Sequence, residues 1–245
     1  LVKVQYSLDN GSNWTLIEQI NPGANTSLTT NWVIPNATSV SNTAKVRILD
    51  NTTHPTVSVS DVSDNTFNVI AYYNVTDPED GNITYANESY NITWVQRGIG
   101  NVTNATLEYS TNNGGNWTTI GTVPNTANIG GTYEWYPVPG DTLSTQCMIR
   151  VTSPFNANAT NTGAGWFEIR GKLNVAVPNG GNNWQIYETQ GINWTRQGNI
   201  TAVNIKYSYN NGTNWTTLAT NVTATNLTWN WTIANTTVTT NNQGV

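Results

Sequence analysis

Three ten-residue stretches constrain this chain more than any other feature. They are "LDNGSNWTLI" (8–17), "TNNGGNWTTI" (111–120) and "YNNGTNWTTL" (209–218). Trp14, Trp117 and Trp215 lie about 103 and then about 98 residues apart, so the repeating unit has roughly 100 residues. That is the size of a small domain and too long for one turn of a solenoid.

Each copy sits behind a run that alternates with a period of two. "VKVQYSL" (2–8), "TLEYST" (106–111) and "NIKYSY" (204–209) place Val4/Tyr6, Leu107/Tyr109 and Ile205/Tyr207 on one face. No segment carries a helical period, so the unit reads as all-β. Asn10-Gly11, Asn113-Gly114 and Asn211-Gly212 carry the Asn-Gly hairpin signal. A three-residue loop, Asp9-Asn10-Gly11, with its glycine in the left-handed region, pairs Tyr6 with Trp14 and turns both rings to the core. A two-residue loop puts Trp14 opposite Ser7 instead, and a one-residue slip exchanges the faces of a strand. The three-residue loop is the expectation, and it makes Tyr109–Trp117 and Tyr207–Trp215 buried cross-strand pairs.

Other landmarks recur in register. "NITWVQRG" (91–98) matches "GINWTRQG" (191–198), and "AKVRILD" (44–50) matches "CMIRVTS" (147–153). "TNWVIP" (30–35), "YEWYPVP" (133–139) and "TWNWTIA" (228–234) align on Trp32, Trp135 and Trp231. Seven or eight short strands in about 100 residues predict a two-sheet sandwich. The expected divisions are residues 1–70, 71–170 and 171–245, with only the middle unit complete. Leu1 falls within a strand region, and Val245 aligns with Val46 and Ile149. A chain that continues in both directions is expected, with strand donation from a neighbour as the alternative. The junction "FEIRGKLNVAVP" (167–178) lacks linker composition, which predicts a stiff array. Recurring tryptophans such as Trp94, Trp117 and Trp135 read as core anchors. Trp166, Trp184 and Trp229 lack evident counterparts and are the candidate exposed rings for stacking on sugars.

Composition narrows the function. Charged residues are 9% of the chain and the net charge is −5, so it has no basic stripe for nucleic acid. One cysteine, Cys147, and one histidine, His54, exclude a disulfide framework and a Cys/His zinc site within the chain. No apolar run approaches membrane-spanning length. Eleven Trp and eleven Tyr in register exclude a disordered Asn/Thr-rich tract. No catalytic constellation stands out. His54 reads as a solvated loop residue beside Pro55. Glu79 and Asp80 are adjacent in a turn and do not flank a substrate as glycosidase carboxylates do. No cofactor is implied. Asp77, Glu79 and Asp80 of "DPEDGN" (77–82) form a weak calcium candidate, because calcium gathers several oxygen ligands. The equivalent "VPNGGN" (177–182) lacks those acids.

The sequon N-x-S/T occurs at 21 positions, whereas 40 Asn and a Ser+Thr fraction near 0.22 predict about nine by chance. The excess favours N-linked glycans on a surface protein. N-W-T at Asn13, Asn116 and Asn214 is discounted as part of the repeat. The candidate acceptors in polar turns are Asn25, Asn36, Asn51, Asn82, Asn87, Asn101, Asn158, Asn199, Asn221 and Asn235.

With "VAVPNGGNNW…GINWTRQG…IKYSYNNGTNWTTL…WNWTI", and "STQCMIRV" from the middle unit, the chain resembles immunoglobulin/fibronectin-III-like repeats of very large bacterial and archaeal surface proteins. It departs from their pattern at Asp77-Pro78-Glu79-Asp80, where "PNGG" is usual. The resemblance implies tandem immunoglobulin-like sandwiches, an extracellular structural or adhesive role, and no catalytic residues. The leading expectation is a structural module of a glycosylated filament or surface stalk, whose partners are copies of itself. A carbohydrate-binding or adhesin module is the alternative.

Overall fold

The computed structural model describes residues 1–24, 27–50 and 59–235. Asn25, Asn51, His54 and the segment ending at Val245 lie outside the described residues. Among the described residues the chain is all-β, with one helical piece, a single 3-10 turn at Ala224–Asn226.

The first unit holds β1 (Val2–Ser7), β2 (Thr15–Ile20), β3 (Ser41–Asp50), β4 (Ser60–Val62) and β5 (Phe67–Val69). The middle unit holds β6 (Tyr72–Asp77), β7 (Ile83–Tyr85), β8 (Tyr90–Arg97), β9 (Asn104–Ser110), β10 (Thr118–Pro124), β11 (Gly130–Trp135), β12 (Ser144–Thr152), β13 (Thr160–Thr162) and β14 (Phe167–Arg170). The third holds β15 (Lys172–Val177), β16 (Thr189–Gln197), β17 (Ala202–Tyr207), β18 (Thr216–Thr223) and β19 (Thr228–Thr232).

The middle unit is an immunoglobulin-like sandwich. One sheet runs β10-β9-β12-β14-β7, with β13 also on β12; the other runs β11-β8-β6. Alternation decides what lies between them. Ala105 and Leu107 of β9, Cys147, Ile149 and Val151 of β12, and Phe167 and Ile169 of β14 point inward. They meet Tyr73 and Val75 of β6, Ile92 and Trp94 of β8, and Trp135 of β11. Each fully buried aliphatic or aromatic side chain is worth about 1.5–3 kcal/mol relative to exposure. The indole N–H of Trp94 donates to Asn125 Oδ1 at 2.8 Å, so the ring is buried without an orphan donor.

In the flanking units corresponding elements recur among the described residues. The first unit shows the larger sheet, in the order β2-β1-β3-β4 with β5 also on β3. There "NWVIP" runs without strand pairing, and Trp32 reaches the sheet through its ring alone, 4.5 Å from Tyr6. The third unit shows the smaller sheet, β15-β16-β19, and the hairpin β17-β18.

The hairpin register differs from the expectation. Tyr6 opposes Thr15 and Tyr109 opposes Thr118, so Trp14 and Trp117 continue opposite Ser7 and Ser110, on the outer face. Trp117 is half-buried, not a core anchor, and Trp215 is 57% exposed. Each Tyr instead faces a later tryptophan of its own unit. The ring centroids of Tyr6–Trp32, Tyr109–Trp135 and Tyr207–Trp231 are 4.5, 5.0 and 5.1 Å apart. Trp94 and Trp135 are buried as expected, at 3% and 5% exposure, and so is Trp194 at 6%.

Candidate functional site

The repeated loop is the most defined local structure in the chain, and a serine builds it. Ser7 and Ser110 end their strands and Ser208 directly follows β17, each buried beneath the loop. The hydroxyl accepts the N–H of Gly11, Gly114 or Gly212 at 2.8, 2.9 and 2.9 Å. It donates to the side chain two residues on, Asp9, Asn112 or Asn210, at 2.7, 2.9 and 3.0 Å. That side chain's Oδ1 then accepts the N–H of Asn13, Asn116 or Asn214, at 2.8 Å in every copy. Asn10, Asn113 and Asn211 have φ of 57°, 56° and 55°, and the following glycines are also left-handed. With Ser12 N–H donating to the Asp9 carbonyl, Asn-Gly forms the centre of a primed turn at the tip of a longer loop. This is why the three-residue loop fails. The bond from Ser12 N–H to the Asp9 carbonyl spans only Asn10-Gly11 and keeps the register of the two-residue loop, which sets Trp14 opposite Ser7, while the serine's bonds brace the residues between turn and strands. The recurrent Ser two positions before Asp or Asn was the signal for it.

The glycine permits a second contact. A Cβ on Gly11 or Gly114 would stand 3.4 Å from Cζ2 of Trp14 or Trp117, so each indole lies against its own turn. Its other neighbour is an arginine. Arg47 Cζ is 4.3 Å from the Trp14 centroid and Arg150 Cζ is 4.2 Å from that of Trp117. Arg150 is oriented by Glu108, which lies opposite it on β9 (Nη2–Oε2 2.7 Å). Gln5 plays that part for Arg47 (Nε–Oε1 2.8 Å).

Asp9 is the acidic variant of the loop acceptor. Donation from Ser7, then from the Asn13 backbone and side chain, lowers its pKa from 3.8 to about 2.

The acidic turn is a structural clasp. Asp80 Oδ1 accepts the Trp166 N–H at 2.9 Å, and the Gly81 N–H donates to the Trp166 carbonyl at 2.8 Å. Asp77 Oδ1 accepts the Tyr90 hydroxyl at 2.8 Å; burial first, and Asp77 second, push the Tyr90 pKa well up. The Glu79 N–H donates to Asn82 Oδ1 at 2.8 Å. Asp77, Glu79 and Asp80 do not converge on a common point, and among the described residues no group of three His, Cys, Asp or Glu is placed to hold an ion. The Cys147 thiol is fully buried, and burial raises its pKa.

The sequons divide by environment. Asn36, Asn101, Asn158, Asn221 and Asn235 are exposed, with no side-chain hydrogen bond among the described residues. Asn82 is half-buried, and its Oδ1 accepts from both Glu79 N–H and Tyr90 OH. Asn199 donates its side-chain amide to the Asp141 carbonyl at 3.0 Å. Asn87 is exposed and faces Gly140, whose added Cβ would stand 3.1 Å from its Oδ1.

The three candidate stacking rings are not alike. Trp166 is 44% exposed, and its indole N–H donates to Asn113 Oδ1 at 2.8 Å. Trp184 is half-buried edge-on against Trp231, with centroids 6.3 Å apart. Trp229 is half-buried on β19, at the position Tyr133 holds on β11. Among the described residues no ring contact joins Trp166 to the other two.

No family model matches the sequence, and no curated protein matches it. Among solved structures the chain is similar to one titled "Structures of Clostridium thermocellum CbhA fibronectin(III)-like modules". The identity is 12%, the TM-score is 0.26, and the alignment covers 66% of this chain and 79% of that one. A TM-score of that size carries no inference about function, and the sandwich architecture rests on the sheets and core described above.

Proposed function

We propose that the chain is a non-catalytic structural segment of an extracellular array of sandwiches carrying N-linked glycans. The observation that carries this reading is the threefold Tyr–Trp contact together with the threefold serine-locked loop. The repeated features serve packing and turn formation, which is what selection for a uniform building block preserves. Exposed sequons offer attachment points on a surface with few charges. The array's partners are further copies of the same unit.

Strands of some 5–8 residues plus turns, at about 3.3 Å per residue, give an axial repeat of roughly 35–45 Å per sandwich. Electron microscopy of native material tests the reading. A thin filament with that repeat and branched density at turn asparagines supports it. Isolated particles without axial periodicity overturn it.

Trp166 supports a second reading, a carbohydrate-binding module. Its exposed ring face with a tethered N–H suits stacking on a sugar. A glycan array probed with the chain and with Trp166→Ala separates the two: saturable binding lost in the variant favours the module.

A further inference from the structure

The joints between units are built from the same two pieces. One is the turn after the I-x-W strand, at Gly98 in the middle unit and Gly198 in the third. The other is the loop of the preceding unit just beyond its W-x-x-P or W-x-P-x-P segment, at Asn36 and Gly140.

At the first joint Gly98 N–H donates to the Asn36 carbonyl at 2.9 Å and Ile99 N–H to the Thr38 carbonyl at 3.1 Å. Val40 N–H returns to the Ile99 carbonyl at 3.0 Å, so Ser39 and Ile99 form a parallel bridge between the units. Gly98 has φ +110°, and a Cβ there would stand 3.3 Å from Val40. Val40 itself packs against the core of the middle sandwich.

At the second joint Asn199 N–H donates to the Gly140 carbonyl at 2.7 Å, and Asn199 Nδ2 to that of Asp141 at 3.0 Å. The side chain of Gln197 donates to the Ala86 carbonyl. A Cβ on Gly198 would come within 2.8 Å of Ala86 Cβ. Lys172 adds an ion pair with Glu88 and sits 4.1 Å over the Tyr85 ring.

We propose that the Gly98 and Gly198 turns are docking surfaces whose partner is the post-proline loop of another repeat, and that they hold neighbouring sandwiches in one fixed orientation. Main-chain bonds set the orientation, because they have little conformational freedom of their own. Glycine is required because both turns have a left-handed φ, +110° at Gly98 and +82° at Gly198, and at Gly198 Ala86 Cβ also stands closer than a side chain permits. The flanking side chains differ between joints, "VQRG" against "TRQG", so the shared element is the backbone. This holds whether the array is structural or binds sugar, and its failure leaves either reading of function intact.

The test uses the full chain, spin-labelled in pairs at exposed positions: Gln19→Cys with Thr119→Cys, and Thr119→Cys with Thr217→Cys, with buried Cys147 left in place. Dipolar distance distributions are expected to be single and narrow for both pairs. Gly198→Val should at least double the width for the second pair and leave the first unchanged; Gly98→Val should do the reverse. Distributions already as broad as those of a variant with a Gly-Ser insert between Arg170 and Gly171 would overturn the proposal. Amide exchange of the unaltered chain supplies a readout that no folding defect confuses. Ile99 and Asn199 are expected to exchange as slowly as amides within β9, and exchange at the rate of the exposed Asn101 amide also overturns it.

Discussion

The guanidinium carbon of Arg150 sits 4.2 Å over the ring of Trp117, with Glu108 holding the group from the neighbouring strand. Arg47 and Trp14 repeat the contact at 4.3 Å. The most conspicuous tryptophan of the repeat is therefore a lid on the outer face of its sheet. Trp215 has the same loop beneath it, with no such cation within the described residues, and is the most exposed of the three.

Truncation of this lid should be mild. Trp117→Ala is expected to cost about 1–2 kcal/mol, less than the roughly 3–5 kcal/mol typical of a buried aromatic. Arg150→Ala should cost about 0.5–1 kcal/mol, the range of a partly exposed cation–π contact. Urea unfolding of the single variants and the double variant checks both. A double-mutant loss equal to the sum of the singles would show that the two side chains are not coupled.

Trp135→Ala should fall in the severe class, at about 3–5 kcal/mol. Its ring is buried and contacts Tyr109 and Phe167 at 5.0 and 6.5 Å. Trp94→Phe keeps an aromatic ring but strips Asn125 Oδ1 of its donor. A buried unsatisfied acceptor costs about 1–3 kcal/mol. The same unfolding series measures both: a Trp135→Ala loss below that of Trp117→Ala, or a Trp94→Phe loss below about 0.5 kcal/mol, contradicts the core assignment.

The loops predict a selective response to acid. Asp9 has a folded pKa near 2, below its ordinary 3.8, so its contribution is fully present above about pH 4. It disappears as pH falls through about 2. Asn112 and Asn210, which hold the same position, do not titrate. In an NMR titration the Asn13 amide should shift across this window while the Asn116 and Asn214 amides stay in place.

Ser110→Ala removes the acceptor beneath Gly114 and Asn112. The expected cost is about 1–2 kcal/mol, with faster exchange of the Gly114 amide. Unchanged exchange would mean that the turn is held by its own backbone bonds alone.

If the native protein is glycosylated, occupancy should follow the geometry. Asn101, Asn158 and Asn221, exposed and with unengaged side chains, are expected to carry glycans, while Asn82 is expected to be bare. Site-by-site mass spectrometry of native material measures this. Full occupancy at Asn82 would require the turn at 77–82 to open.

Much of the architecture was legible in the order of residues. The three copies, the all-β character and the inward faces of β1, β9 and β17 follow from a period of two, which is a local property. Trp94, Trp135 and Trp194 were readable as core because each sits within such an alternation. What the order of residues left open was where local patterns meet. The side on which Trp14 and Trp117 fall depends on whether two or three residues close the loop, and Asn-Gly closes it with two while Ser7 and Ser110 brace the turn where the ladder stops. The partners that make the outer face tolerable for an indole, Arg47 and Arg150, arrive on β3 and β12, distant in sequence. Asp77 and Asp80 read as oxygen ligands by type, yet folding spends them on Tyr90 and Trp166. The closure of the joints at Gly98 and Gly198 likewise has no signature beyond a glycine. Periodicity determined which residues face which way along a strand; only tertiary structure decided which strand, turn or neighbouring unit each face would meet, because those contacts form between segments whose separation no local pattern encodes.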